Sequence, residues 1–259
     1  MSSTANTPFS LESRDVWVIG GAGYLGREVV HLLANLGATV LCADLDHKAA
    51  EAGFPAAVTP ASLDASDIPA IEDFVNSQLA TRGVPHAVVF MQFTSTGRRF
   101  EDLSTSEFDR TNHLNLTATF AFARAVGNAM AARGGGSIVL FASMYGTVAP
   151  DPSIYEEPMN PNPIEYGVAK AGIQQMARYL AVHYGKSGVR CNSISPGPFP
   201  NPNLQRDQPD FIDRLSKKAP LGRVGQAPEI AGSVAFLVSD ASTFVTGHNL
   251  AVDGGWTAW

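Results

Sequence analysis

The chain has 259 residues, of which 45% are hydrophobic, and a formal net charge of −6. This length is enough to bury a large core, and the acidic balance argues against nucleic-acid binding, which usually needs a basic face. No apolar run reaches the length of a membrane span. Residues 1–13 lack the features of a signal peptide and are predicted to be a flexible tail, followed by a single domain over 14–259. We expect a cytoplasmic protein without nucleic-acid or membrane partners.

Short apolar runs alternate along the chain with longer amphipathic stretches. The runs are rich in β-branched residues and end at Gly, Pro or Asp, which predicts strands. They are Val16–Ile19, Thr39–Ala43, Ala87–Met91, Ser137–Ala142, Val189–Ile194 and His248–Val252, with a weaker candidate at Ala56–Val58. Helical periodicity covers residues 24–36, 69–81, 105–132, 165–186 and 227–238. The alternation predicts a single-domain α/β fold of Rossmann type, a doubly wound parallel sheet flanked by helices.

A glycine-rich turn, Gly20, Gly23 and Gly26, joins the first strand to the first helix. Glycine permits a tight turn and close approach to a pyrophosphate, and a helix N-terminus favours negative charge. Such turns also form for packing reasons alone. Asp44 ends the second strand, about 20 residues further on, where a carboxylate accepts ribose hydroxyls and repels a 2′-phosphate. This predicts NAD(H) over NADP(H), with Asp46 as the less favoured acid and a solvated strand end as the alternative.

The third strand is followed by Asp64, in Leu-Asp-Ala-Ser-Asp. Its carboxylate could hold the adenine amino group, or it could equally cap the helix that follows. No metal site is predicted.

Tyr166 and Lys170 are four residues apart and share one face of a predicted helix. A phenol is a poor base at neutral pH, and a neighbouring ammonium lowers its pKa toward the working range. Ser143 follows the fifth strand, where its hydroxyl can bond a substrate oxygen. Asn115 is polar where a packing residue is expected, and it could hold a water that relays protons to Lys170. A Tyr-x-x-x-Lys pair alone is often only a solvated helix face, but the Ser upstream and the glycine turn argue against that.

With these motifs in this order, the chain resembles the classical short-chain dehydrogenase/reductases over about residues 14–259. The resemblance also rests on Asn192-Ser-Ile-Ser-Pro196-Gly197, Pro220-Leu-Gly-Arg-Val-Gly and Val252-Asp-Gly-Gly-Trp256. It implies that Tyr166 is the acid/base, Lys170 binds the nicotinamide ribose and lowers the tyrosine pKa, Ser143 orients the carbonyl and Asn115 anchors a proton relay. It also implies a homotetramer, with a dimer as the alternative. The closing residues 247–259 resemble a branch linked to bacterial sugar and surface-glycan biosynthesis.

The motifs and the resemblance together give the candidate cofactor-binding residues. They are Gly20, Gly23, Tyr24, Leu25, Gly26, Asp44, Asp64, Gln92, Tyr166, Lys170, Pro196, Gly197 and Phe199.

The chain also departs from the family pattern. Tyr24 stands at a usual glycine, which gives the Gly-x-x-Gly-x-x-Gly spacing of the extended, nucleotide-sugar-modifying relatives. Phe90-Met-Gln-Phe93 replaces Asn-Asn-Ala-Gly after the fourth strand. Gln92 and Phe93 are bulky, so either the strand end shifts or cofactor affinity falls. Phe199 lies in a segment that lacks the usual threonine.

Ser143 and Tyr166 are about ten residues further apart than is usual, and the extra segment is a proline-rich loop over 150–163. Loops at strand ends carry specificity. Tyr155, Glu156 and Glu157 of this loop are candidate substrate residues because acids and hydroxyls pair with sugar hydroxyls. Arg98 and Arg99, on another strand-end loop, could clamp an anion or be solvated.

These residues leave three possible functions open. The leading one is an NAD(H)-dependent oxidoreductase that interconverts a secondary alcohol and a ketone on a polar, sugar-like substrate. The glycine spacing mildly favours a nucleotide-sugar epimerase or dehydratase that uses NAD catalytically, although such enzymes usually carry a larger C-terminal domain. The altered segment Phe90–Phe93 favours a non-catalytic NAD-binding regulatory protein, whereas the intact Ser143, Tyr166 and Lys170 argue against one.

Overall fold

A computed structural model describes residues 7–45 and 53–259, so the alternative acid Asp46 lies outside the described residues. Within these ranges seven parallel strands form one sheet in the order β3-β2-β1-β4-β5-β6-β7. They are β1 Asp15–Ile19, β2 Thr39–Asp44, β3 Val58–Ser62, β4 Ala87–Phe90, β5 Gly136–Phe141, β6 Val189–Pro196 and β7 Asn249–Val252. The strand order reverses between β1 and β4, which opens a crevice at their carboxyl ends. The predicted fold class is confirmed.

Helices cover both faces of the sheet. They are α1 Tyr24–Asn35, α2 Ile68–Arg82, α3 Thr105–Asn112, α4 Ala118–Arg133, α5 Ile164–Tyr184, α6 Pro202–Asp207, α7 Pro209–Lys218 and α8 Ala227–Val238. Alternate residues of β1 point to opposite faces, as strand geometry requires. Trp17 and Ile19 pack in the cluster that α2, α4 and α5 cover. Val16 and Val18 pack in the cluster that α1 and α8 cover.

The structure differs from the predicted elements at three places. The long helix predicted over 105–132 is divided by a π-helical turn at His113–Thr117. The third strand begins at Val58 and not at Ala56, and it lies at the edge of the sheet, where Pro60 is tolerated. α6 and α7 were not predicted, because their prolines indicate loops. Each proline stands in the first helical turn, where its missing N–H costs nothing.

Part of the segment predicted as a flexible tail packs against the domain. Leu11 is fully buried, and its N–H donates to the carbonyl oxygen of Leu36 at 2.9 Å. Pro8 accepts from the N–H of Ala241 at 2.9 Å. Among the described helices, none combines the length and the apolar character that a membrane span requires.

The two cysteines, Cys42 and Cys191, are buried free thiols. Burial raises the pKa of Cys42 to about 12 and also raises that of Cys191, so both stay protonated and unreactive.

Candidate active site

The glycine turn between β1 and α1 is shaped by close backbone contacts. Gly20 has a φ of +80°, and a Cβ there would lie 2.8 Å from the backbone nitrogen of Gln92. A Cβ at Gly26 would lie 2.5 Å from the carbonyl oxygen of Gly20. Gly23 is the N-cap of α1 and makes no side-chain capping hydrogen bond, so it leaves the helix N-terminus uncapped. An open N-terminus at the end of a parallel strand fits a dinucleotide pyrophosphate.

Asp44 stands at the end of β2, beside the glycine turn. Its Oδ2 accepts from the N–H of Ala22 at 3.0 Å, and its Oδ1 accepts from the N–H of Leu45 at 2.8 Å. These two bonds fix the carboxylate at the rim of the turn. Each oxygen keeps lone-pair capacity for a ligand hydroxyl, because an ionised carboxylate has about four acceptor sites.

Asp64 is exposed and folds back on its own loop. Its Oδ1 accepts from the N–H of Ser66 at 2.9 Å, and hydrogen bonds from Ser66 hold the pKa of Asp64 below its usual value. The N-cap of α2 is Asp67, which accepts from the N–H of Ala70. The helix-capping alternative for Asp64 is therefore wrong, while its adenine-binding role stays a prediction.

The catalytic candidates Ser143, Tyr166 and Lys170 meet where β5 ends and α5 begins. Ser143 is buried, and its Oγ accepts from the N–H of Tyr145 at 3.2 Å. The Ser143 hydroxyl also faces Tyr166 and opposes the rise in the tyrosine pKa. Lys170 is buried beneath Tyr166, with its Nζ 5.5 Å from the tyrosine ring centroid. Nζ donates to the carbonyl oxygen of Phe141, the last residue of β5, at 2.8 Å.

The electrostatics of this group differ from the expectation that the lysine lowers the tyrosine pKa. Burial raises the pKa of Tyr166 above its usual value, and the Ser143 hydroxyl only partly opposes this effect. Burial also lowers the pKa of Lys170 to about 7. At neutral pH, then, Lys170 is only partly charged, which weakens the field that it was expected to exert on the phenol.

Asn115 lies in the π-helical turn and is buried. Its Oδ1 accepts from the N–H of Thr94 at 2.9 Å, and its Nδ2 donates to the carbonyl oxygen of Thr94 at 2.8 Å. Both amide atoms thus bind one backbone residue, so Asn115 clamps the segment that follows β4. The relay water proposed for this residue stays a prediction.

Most of the predicted residues line one cavity of about 340 Å³ at the carboxyl edge of the sheet. Its lining residues are Gly20, Gly23, Tyr24, Leu25, Gly26, Met91, Phe93, Phe141, Ala142, Ser143, Tyr166, Lys170, Pro196, Gly197, Phe199 and Asn201. Four of the predicted catalytic and cofactor-binding residues are not in this lining: Asp44, Asp64, Gln92 and Asn115. Sequence reasoning missed Met91, Phe93, Phe141, Ala142 and Asn201 as site residues. Their positions at or just beyond strand ends were the available signal.

The predicted substrate residues lie elsewhere at the same edge. Arg98, Arg99, Tyr155 and Glu157 line a second cavity of about 520 Å³, between the loop over 98–101 and the inserted loop over 150–163. The residues of the inserted loop do not line the first cavity.

The charges of the inserted loop are already paired. Arg99 binds Glu157 and donates to Oδ1 of Asn160 at 2.8 Å. Arg214 of α7 pairs with Glu156 at 2.9 Å. Arg98 pairs with Glu107 at 3.2 Å. The arginine pair is consequently not an open anion clamp in this structure.

Comparison with known proteins agrees with this geometry. The family described as enoyl-(acyl carrier protein) reductase matches residues 21–257. Galactitol 2-dehydrogenase (L-tagatose-forming) from Cereibacter sphaeroides is 30% identical, over 98% of this chain and 98% of that protein.

Two solved structures share the whole fold. A short-chain dehydrogenase from Leptospira borgpetersenii with bound NAD+ has a TM-score of 0.85 and 31% identity, and covers 99% of this chain and 98% of its own. A gluconate 5-dehydrogenase from Burkholderia cenocepacia, in complex with NADP and tartrate, has a TM-score of 0.85 and 26% identity, with coverage of 97% and 98%. The chain belongs to the classical short-chain dehydrogenase/reductase family and is an oxidoreductase that acts on CH–OH groups.

Proposed function

We propose that the protein is an NAD(H)-dependent oxidoreductase that interconverts a secondary alcohol and a ketone on a polar, sugar-like substrate. One observation carries this proposal. Ser143, Tyr166 and Lys170 line the same cavity as the open N-terminus of α1. A dinucleotide held at the glycine turn would extend along this cavity toward the tyrosine hydroxyl.

When bound, the nicotinamide supplies or accepts the hydride. The roles of the protein side chains follow from their positions. Tyr166 exchanges a proton with the substrate oxygen through its hydroxyl, and Ser143 holds that oxygen by a hydrogen bond. Lys170 is fixed by the carbonyl oxygen of Phe141, which leaves two of its three donors for ligand hydroxyls. Burial of the group excludes water and strengthens these hydrogen bonds.

The choice of NAD(H) over NADP(H) rests on Asp44. A 2′-phosphate beside this fixed carboxylate would meet like-charge repulsion. The solved relatives named above include both an NAD+ and an NADP complex, so family membership alone leaves the cofactor open.

The sugar-like substrate is supported by two relatives whose names give polyhydroxylated compounds, galactitol and gluconate. The second cavity adds hydroxyl-pairing groups at the same edge of the sheet, among them Tyr155, Glu157 and Asn162. The closing residues 247–259 support the narrower assignment to a branch linked to surface-glycan biosynthesis.

A non-catalytic NAD-binding protein is the second candidate, and Phe93 beside the catalytic pair favours it. NADH consumption with a panel of keto sugars separates the candidates. Stoichiometric oxidation of NADH supports the oxidoreductase. Product without net change in NADH would instead indicate an epimerase or dehydratase, and binding without turnover would indicate the non-catalytic protein.

We further propose a cytoplasmic homotetramer built around the single domain over residues 14–259. Val168, Tyr179 and Val182 form an exposed apolar face on α5, and Phe120 adds a similar side chain on α4. The resemblance implies contacts through these helices and through the C-terminal strand. Light scattering of the purified protein measures the assembly directly, and a monomer would exclude it.

A further inference from the structure

The segment that follows β4 is held over the catalytic group by two buried side chains. Asn115 clamps the backbone of Thr94, as described above. Glu165, the residue before the catalytic tyrosine, is fully buried, and its Oε1 accepts from both the N–H and the hydroxyl of Thr96, at 3.0 and 2.7 Å. The backbone on the carboxyl side of Phe93 is therefore fixed from two different helical elements.

Phe93 precedes these clamps and projects into the first cavity. Its ring meets the ring of Tyr166 edge to face, with centroids 6.0 Å apart and an interplanar angle of 78°. The ring centroid also lies 5.6 Å from Nζ of Lys170, within the range of a cation–π contact. The side chain nevertheless stays 61% exposed, so little holds the ring itself in place.

These contacts place the Phe93 ring against the N–H donors of Lys170 that the carbonyl oxygen of Phe141 does not use. An ammonium carries three donors. Among the described residues, its one hydrogen-bond acceptor is the carbonyl oxygen of Phe141. Nζ also lies against the aromatic rings of Phe93 and Tyr166. A ligand hydroxyl that accepts from Lys170 therefore has to compete with the ring of Phe93.

We propose that Phe93 sets the affinity for the dinucleotide, because its ring covers the ligand side of Lys170 and must rotate aside before a ribose hydroxyl can accept from Nζ. This inference rests on the proposed NAD(H)-dependent function. Since the backbone is clamped, the movement is a rotation of one exposed side chain, which is fast. The ring therefore weakens the equilibrium affinity for the dinucleotide. Because its rotation is fast, binding should still follow a single exponential phase.

The test is calorimetric titration of NADH into the full-length protein and its Phe93→Ala variant, without substrate. Because the wild-type ring has to give up its contact with Nζ before a ribose hydroxyl can bind there, Phe93→Ala should lower the NADH Kd about threefold. Phe244→Ala removes a fully exposed ring in the segment before β7 and is the matched control, with an unchanged Kd. An unchanged or higher Kd in Phe93→Ala overturns the inference. If the wild-type protein binds NADH as tightly as that variant, the proposed function survives this failure. If neither binds, both proposals fall.

A second readout needs no cofactor. The chain has five lysines, so the amine of Lys170 can be followed by NMR after selective labelling and assigned with Lys170→Met. Burial lowers the pKa of Lys170 to about 7. Removal of the ring lets water reach Nζ, so the amine protons of Lys170 should exchange faster with water in Phe93→Ala. An exchange rate that does not change shows that the ring does not cover the amine.

Discussion

The two cavities at the carboxyl edge of the sheet treat their charged groups in opposite ways. In the first, Lys170 is buried and has no carboxylate partner among the described residues, and its pKa is lowered to about 7. In the second, Arg99 and Glu157 are ion-paired at the surface. A buried amine without a counter-ion destabilises the fold, but its hydrogen-bond donors stay available to a ligand. In an exposed ion pair the two groups already bind each other. Changes in the first cavity should therefore alter function far more than changes in the second.

The largest effect is expected for Tyr166→Phe, which keeps the ring and removes the proton. Turnover should fall by about 10² or more, since general acid–base catalysis contributes that much. The NADH Kd should barely change. Tyr179→Phe, on the exposed side of the same helix, is the matched control and should retain full turnover. Substantial activity in Tyr166→Phe would remove the tyrosine from the mechanism.

Lys170→Met tests how much the buried amine lowers the free energy of unfolding, as well as what the amine does in function. The pKa of Lys170 is about 7 in the folded protein and ordinarily 10.5, so the unfolded chain binds the proton more strongly. Between these values the free energy of unfolding rises with pH, by about 1.4 kcal/mol per unit for one proton.

Lys170→Met lacks this dependence. Its stability relative to wild type should therefore decline by about 2 kcal/mol from pH 7 to pH 9 in urea titrations. The same variant should lose turnover and bind NADH more weakly. A constant stability difference across this range would show that the amine is not buried.

The contrast between the cavities also separates what the sequence could predict from what it could not. Ser143, Tyr166 and Lys170 were found because short spacings and strand ends place them together, and the parallel sheet follows from the alternation of elements. The pairing of Arg99 with Glu157 joins residues 58 positions apart, and no local pattern encodes it. The raised pKa of Tyr166 depends on burial by the whole fold, which spacing alone does not reveal.

Asp44→Ala tests the glycine-turn end of the first cavity. Removing the carboxylate should weaken NADH binding and relieve the repulsion of a 2′-phosphate, so the gap between the Kd values for NADH and NADPH should narrow about tenfold. Asp64→Ala is the comparison variant. If Asp64 contacts adenine, its loss affects both cofactors equally, because they share that base. Similar Kd values for NADH and NADPH in the wild-type protein would exclude Asp44 as the selecting residue.

The smallest effects are expected at the ion pairs of the inserted loop. Glu156→Ala and Glu157→Ala each remove one exposed pair, which is worth about 1 kcal/mol or less in stability. If this loop forms a wall of the substrate site, both variants should raise KM for a polyhydroxylated substrate about threefold and leave the NADH Kd unchanged.

Glu157→Ala also frees Arg99, so an acidic or phosphorylated substrate should show a smaller rise in KM than a neutral one, because the released guanidinium can pair with it. Glu156→Ala leaves Arg99 paired and serves as the control for that difference. Equal KM values in wild type and both variants, for neutral and acidic substrates alike, would show that the second cavity takes no part in binding. Substrate recognition would then fall to the first cavity alone.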